Sequence, residues 1–121
     1  MHADTPQAAI ELFAAAMGAG DLDAALSLYE PEAAFAPQPG SAVRGLPAIA
    51  DALRGFLALR PTLSGRIRKV LEADGVALVV NEWRLAGTQP DGAEIAMSGV
   101  SADVLRRQAD GRWLILVDDP W

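Results

Sequence analysis

The chain closes on DGRWLILVDDPW, residues 110–121. Leu114-Ile115-Leu116-Val117 runs straight into two carboxylates, Asp118 and Asp119. A third, Asp103, sits in the apolar stretch before the turn. Charge seldom ends a buried strand without a reason, because a carboxylate loses hydration there. Two carboxylates facing one apolar cavity also repel each other. One of them is then pushed toward neutrality, which is what a general acid needs. The rest of the composition leaves little else to do chemistry. There is no cysteine, which removes thiol nucleophiles, thiolate metal sites and disulfides. His2 is the only histidine, so a zinc site or a Ser-His-Asp triad is not expected. No Gly-rich phosphate loop or His–carboxylate cluster is present, and neither cofactor nor metal is expected. Acid–base work falls to carboxylates, Tyr29 and water.

The hairpin between the two strands decides which carboxylates meet, since directly opposed residues point to the same face. A two-residue turn at Asp110-Gly111 places Asp103 opposite Asp118. A four-residue loop places Ser101 opposite Asp118. Either puts Asp103, Asp118 and Ser101 on one face, with Leu114 and Leu116. A three-residue loop with a bulge brings Asp119 there instead, with Trp113, Ile115 and Val117. In the purely structural alternative, Asp103 pairs with Arg84 or Arg106 and the closing aspartates cap the sheet end, ordinary turn chemistry for an Asp-Asp-Pro run.

Three helices and four strands must position these groups. Thr5 caps a helix that has Pro6 at its first position, with Ala9, Phe13, Ala16 and Met17 at helical spacing until Gly18 and Gly20. Asp21 caps a second helix with Leu22, Ala25, Leu26 and Tyr29 on one face, stopped by Pro31. Residues 33–36 form a short apolar stretch that fits a strand, and 37–45 read as a loop. Ile49, Leu53, Phe56 and Leu57 mark a third helix, ended at Arg60-Pro61. Strands are expected over 62–73, 76–88, 94–107 and 112–119, joined by turns at Asp74-Gly75, 89–92 and 109–111. Helices followed by a meander argue for an α+β fold.

On the second of these strands Val79, Asn81, Trp83 and Leu85 share a face. Asn81 is the polar exception on it, suited to orienting a ligand carbonyl or to satisfying backbone groups at a cavity wall. Trp83, Trp113 and Trp121 fit packing better than ligand stacking. Met17, Met97 and Phe56 are core positions, compatible with lining a cavity. Both faces are apolar at residues 76–80, so helices cover one and a second copy of the chain is the simplest cover for the other.

At 121 residues and 51% hydrophobic, residues 1–121 fit one domain with a real core. Net charge is −6 with a pI near 4.6, against nucleic acid and anionic membranes. Arg66, Arg68 and Lys69, and Arg106 with Arg107, read as solvated strand faces. No signal peptide and no membrane-spanning apolar run are read, and a cytoplasmic protein is expected. Nine Arg against one Lys, with many Ala, suggest a GC-rich bacterial source.

AGDLDAALSLYEPEAAF at 19–35, RGLPAIADAL at 44–53 and ADGRWLILVDDPW at 109–121 resemble the SnoaL-like, nuclear-transport-factor-2-like superfamily, which includes ketosteroid isomerase, SnoaL polyketide cyclases and limonene epoxide hydrolase. The best likeness is to an uncharacterised bacterial group ending in DGRW and Asp-Asp-Pro-Trp. The resemblance implies a cone: a curved antiparallel sheet wrapped around three N-terminal helices, with a deep apolar pocket and frequent dimers. It says less about activity, because function lives in the pocket and not in the scaffold. Where the isomerase has its oxyanion-hole tyrosine, this chain matches Phe13, which cannot donate. Its general base falls in Phe35-Ala36-Pro37-Gln38, without an acid. Its protonated aspartate falls on Asp103, and Tyr29 matches an auxiliary tyrosine. The Asp-Arg-Asp set of the epoxide hydrolase is broken by Ser101. The cyclases' acid/base aspartate falls on Asp118.

These residues together predict a cytoplasmic homodimer that binds a small apolar organic ligand. Asp118 and Asp103 are its candidate catalytic pair. Phe13, Met17, Tyr29, Phe35, Phe56, Asn81, Trp83, Met97, Ser101 and Leu116 are its candidate pocket. If it is an enzyme, it is a cofactor-free isomerase, cyclase or hydratase. A non-catalytic binding module and a dimerisation scaffold are the competing readings.

Overall fold

Thr5 starts the first helix as its cap, its hydroxyl accepting from the Ala8 amide at 3.0 Å. A computed structural model describes residues 2–121. Helix α1 spans Pro6–Gly18, and α2 is a single short turn, Leu22–Leu26, capped by Asp21. Pro31 disfavours helical backbone at the residue before it. The chain is already extended by Tyr29, which opens strand β1 (Tyr29–Gln38) instead of closing α2. Pro39-Gly40 then turns the chain, and β2 (Ser41–Arg44) returns antiparallel to β1 inside the segment expected to be a loop. Helix α3 is Leu46–Leu57, and β3 (Thr62–Ala73), β4 (Val76–Thr88), β5 (Glu94–Arg107) and β6 (Trp113–Asp119) form the meander. Asp74 and Gly75, both at positive φ, make the tight β3–β4 turn.

The sheet has six strands in the order β2-β1-β6-β5-β4-β3. The four-strand meander is antiparallel as expected, but the expected antiparallel sheet is corrected to a mixed one, because β1 runs parallel to β6. The register between them slips between Tyr29 and Ala34, around Pro31, whose missing amide cannot join the ladder. The open sheet curves about the helices in the α+β cone arrangement, with α1 on β3 and β6 and α3 on β1. Ile49 and Leu53 of α3 belong to one fully buried core with Val79, Leu105 and Ile115 of the sheet.

The inner face of β4 carries Ala77, Val79, Asn81, Trp83 and Leu85, all buried. The outer face is open, apolar around Leu78 and charged farther along β4 at Glu82 and Arg84. Leu71, Leu78, Val104 and Val117 pair in turn across four strands, and Leu71 (60%), Leu78 (36%) and Val117 (38%) are exposed.

Candidate functional site

Between the inner sheet face and helices α1 and α3 lies a cavity of about 260 Å³, near the small end of the range for ligand pockets. Phe13 and Met17 reach it from α1, Phe56 from α3 and Phe35 from β1. Asn81 and Trp83 line it from β4, Ser101 and Asp103 from β5, and Asp118 from β6. Nine of the twelve residues singled out in the sequence meet here. The cavity has apolar walls with a small polar group at the sheet.

That polar group depends on two irregularities in one hairpin. Gln108 donates its amide to Arg112 O at 2.8 Å, closing a three-residue loop, Ala109-Asp110-Gly111, with Gly111 at φ 91. Counted on from this loop, Asp119 would share the face of Asp103. A bulge between Val104 and Leu105 on the partner strand then inserts one extra residue, Leu116, into β6. Pairing runs Leu105↔Ile115 on one side of the bulge and Val104↔Val117 on the other, so Asp103 ends opposite Asp118. The two shifts cancel. Asp119 is exposed on the outer side.

Three candidate pocket residues are placed differently. Leu116 is the bulge residue and does not line the cavity; Ile115 takes its place, because the bulge inverts the alternation before it. Met97 is half-buried opposite Leu85, toward the β4–β5 turn and beyond the cavity wall. Tyr29 stands behind the wall, edge-on to Phe13 with ring centroids 5.7 Å apart, so its hydroxyl serves a carboxylate and not the cavity. Gly65 and Trp121 also line the cavity, beyond the residues the sequence points to. Gly65 lies opposite Trp83, and a Cβ there would come within 2.8 Å of the Asn81 side chain. A glycine in mid-strand is the signal that could reveal it. Trp121 packs edge-on to Trp83 at 5.4 Å and donates from Nε1 to Ala36 O, while Trp83 Nε1 donates to Pro120 O at 2.7 Å. These contacts fold the last residues over the cavity.

Asp103 and Asp118 are both buried, 4% and 8% exposed. They stand directly opposite one another in the β5–β6 pairing, so each carboxyl acts on the other's titration. The Tyr29 hydroxyl donates to Asp118 Oδ2 at 2.5 Å, and the Ser101 hydroxyl reaches Asp103 Oδ2 at 3.2 Å and Asn81 O at 3.3 Å. Burial, then the neighbouring Asp118 charge, push Asp103 up to about 10. Burial also raises Asp118, opposed by the hydrogen bonds from Asp103 and Tyr29. Tyr29 is pushed well above its ordinary value, by burial first and then by Asp118. The pair therefore holds a proton at neutral pH, with Asp103 the protonated member and Asp118 the acceptor of two donors. Asn81 Oδ1 and Asp103 Oδ1 are buried without a partner.

The arginine alternative for Asp103 is not adopted. Arg106 instead forms a two-pronged pair with Glu30, at 2.7 and 2.6 Å, to which Gln108 adds a third bond. No group of three or more metal-ligating side chains occurs among the described residues. No helix among them is long and apolar enough to cross a membrane.

A sequence profile of the SnoaL-like domain matches residues 10–115. A search of curated proteins finds no match. Solved structures with the same architecture include a ketosteroid isomerase-like protein from Erwinia carotovora atroseptica, 17% identical over 93% of this chain and 88% of that one, TM-score 0.81. A conserved protein from Planctomyces limnophilus is 17% identical over 93% and 88%, TM-score 0.82. A nuclear transport factor 2-like superfamily protein from Salmonella enterica serovar Typhimurium is 18% identical over 92% and 83%, TM-score 0.81. At these identities the likeness concerns the fold.

Proposed function

The chain belongs to the SnoaL-like domain family, and from that premise we propose that it binds a small, largely apolar organic molecule in the inner cavity and uses the Asp103–Asp118 pair for cofactor-free acid–base chemistry. One observation carries this reading: two buried carboxyls, Asp103 and Asp118, stand opposite each other in the wall of a largely apolar cavity. A buried carboxyl pair without a cation costs stability, so its presence in a cavity wall is a candidate for function. Asp118 is the acid/base, because it receives two hydrogen bonds and lines the cavity. Asp103 is the protonated donor. Tyr29 positions Asp118 from behind, and Asn81 orients the ligand. Isomerisation, cyclisation and hydration all need only this set plus water.

A panel of small cyclic ketones, esters and epoxides, assayed with the wild type and Asp118→Asn, tests the reading. Turnover with a bell-shaped pH profile, lost in Asp118→Asn, supports the enzyme. Thermal stabilisation by the same compounds without turnover, unchanged in Asp118→Asn, supports a binding module. Phe13, which cannot donate a hydrogen bond, stands on the α1 wall and favours that second reading. Absence of both turnover and stabilisation refutes a site for such neutral ligands.

The apolar row Leu71, Leu78, Val104 and Val117, exposed at all but Val104, supports a further part of the reading, a homodimer through the outer sheet face.

A further inference from the structure

The cavity's lining is one-sided in charge. Glu11 of α1, Asp103 and Asp118 line it, and no lysine, arginine or histidine among the described residues does. Helix α3 contributes only Leu53 and Phe56, and β3 contributes Leu63, Ser64, Gly65 and Ile67, none of them charged. The remaining titratable neighbours of the pair are Tyr29, which donates to it, and Asp119, which repels it. The carboxyl pair therefore has no protein cation in the cavity.

Most donors near the carboxyls are already engaged, which leaves the Asn81 amide nitrogen and the Ser64 hydroxyl to a ligand. The Tyr29 hydroxyl is engaged by Asp118, the Ser101 hydroxyl by Asn81 O and Asp103, and the Trp83 and Trp121 indoles by Pro120 O and Ala36 O. Asn81 is 8% exposed and lines the cavity, and its Oδ1 has no donor. Asp103 Oδ1, on the neighbouring strand and the same face, has none either. A buried acceptor without a donor is costly, so such a wall favours a ligand that brings donors. Around these acceptors stand five aromatic rings: Phe13, Phe35, Phe56, Trp83 and Trp121. Aromatic faces attract cations.

We propose that the cavity takes a protonated organic amine, its ammonium group donating to Asn81 Oδ1 and to the Asp103–Asp118 carboxyls while its apolar body packs among the aromatic rings. This rests on the cavity being a ligand site, and it narrows the ligand class. Glu11 at the exposed end of the cavity adds attraction for an incoming cation.

The test compares three probes of one shape by isothermal titration calorimetry at neutral pH: benzylamine, benzyl alcohol and benzoate. Benzylamine, as its ammonium, is expected to bind at least about tenfold tighter than benzyl alcohol, and benzoate not measurably. Its binding should fall at least about tenfold in Asp118→Asn and in Asn81→Ala, with circular dichroism confirming that both variants fold. Persistence of tight amine binding in both variants places the amine elsewhere and overturns the proposal. Benzyl alcohol or benzoate binding as tightly as the amine overturns the amine proposal but leaves the ligand site standing. Failure of all three probes, and of the neutral ketones, esters and epoxides, overturns both.

Discussion

The Tyr29 hydroxyl donates to Asp118 Oδ2 at 2.5 Å, tying the first residue of β1 to the penultimate residue of β6 across the parallel pairing of those strands. Both side chains are buried, so the bond is shielded from water. Removing it leaves Asp118 with one donor fewer. Tyr29→Phe should therefore raise the Asp118 pKa further and cost about 1–3 kcal/mol of stability. Carboxyl-carbon NMR titration and urea unfolding read the two effects. An unmoved Asp118 titration would show that Tyr29 does not tune it.

Asp103 sets a pH dependence of definite sign. Its folded pKa is raised, to about 10, above the unfolded value near 3.8. Its contribution to stability is thus fully present below the unfolded pKa and is lost as pH rises through the folded one, at up to about 1.4 kcal/mol per pH unit for one proton. Asp103→Asn cannot ionise and should flatten this decline. Denaturant midpoints at several pH values between the two pKa values measure it; parallel slopes in wild type and variant would exclude the mechanism.

Glu30 contributes with the opposite sign. Its hydrogen bonds from Arg106, the leading cause, hold its pKa below the usual glutamate value despite burial. The stability it supplies is present above the unfolded pKa near 4.5 and is lost as pH falls through the folded one. Glu30→Gln should lower stability at neutral pH and narrow the gap to wild type in acid. Thermal melts at neutral and acidic pH test this.

Gly99 sits where the aromatic wall leaves no room. A Cβ there would lie 2.9 Å from Pro120 O and 3.0 Å from Trp83 Cζ2. Gly99→Ala should displace Trp83 or the closing residues, at a cost of about 1–3 kcal/mol. Loss of the Trp83–Pro120 bond should shift tryptophan fluorescence. An unchanged spectrum and melting temperature would show that the wall yields freely.

The outer sheet face predicts its own disruption. Leu78→Glu places a charge in the middle of the Leu71–Val117 row. If two copies meet there, dimer affinity should drop by more than about a hundredfold, because the charge is buried without a partner. Light scattering across a dilution series reads the mass. A monomeric wild type refutes the dimer directly.

Much of this architecture is legible in the amino-acid sequence. Thr5-Pro6, Asp21 and the Arg60-Pro61 pair mark helix limits through local backbone chemistry. Asp74-Gly75 marks a tight turn for the same reason, since both residues tolerate positive φ. Alternation along β4 places Asn81 and Trp83 on the inner face, because strand side chains alternate. Strand β2 escapes such a reading, because four residues without apolar alternation look like the loop around them. Tyr29 reads as part of a helix face, because one turn of apolar spacing does not distinguish a helix end from a strand start. Glu30 gives no sign of burial, since its partners, Arg106 and Gln108, lie on a distant strand and the loop after it.

Local backbone preference, strand periodicity and composition suffice for the helices, the long strands and their inward faces, and a chemistry confined to carboxylates and tyrosine. They do not suffice to choose Asp118 over Asp119 as the residue facing Asp103. That choice needs a three-residue loop and a bulge at Leu116 to cancel, and a bulge is set by packing across strands. Nor do they bring β1 alongside β6 in parallel, or Tyr29 against Asp118. That contact joins residues 89 positions apart. It exists only once the sheet has assembled, and nothing local to either residue encodes it.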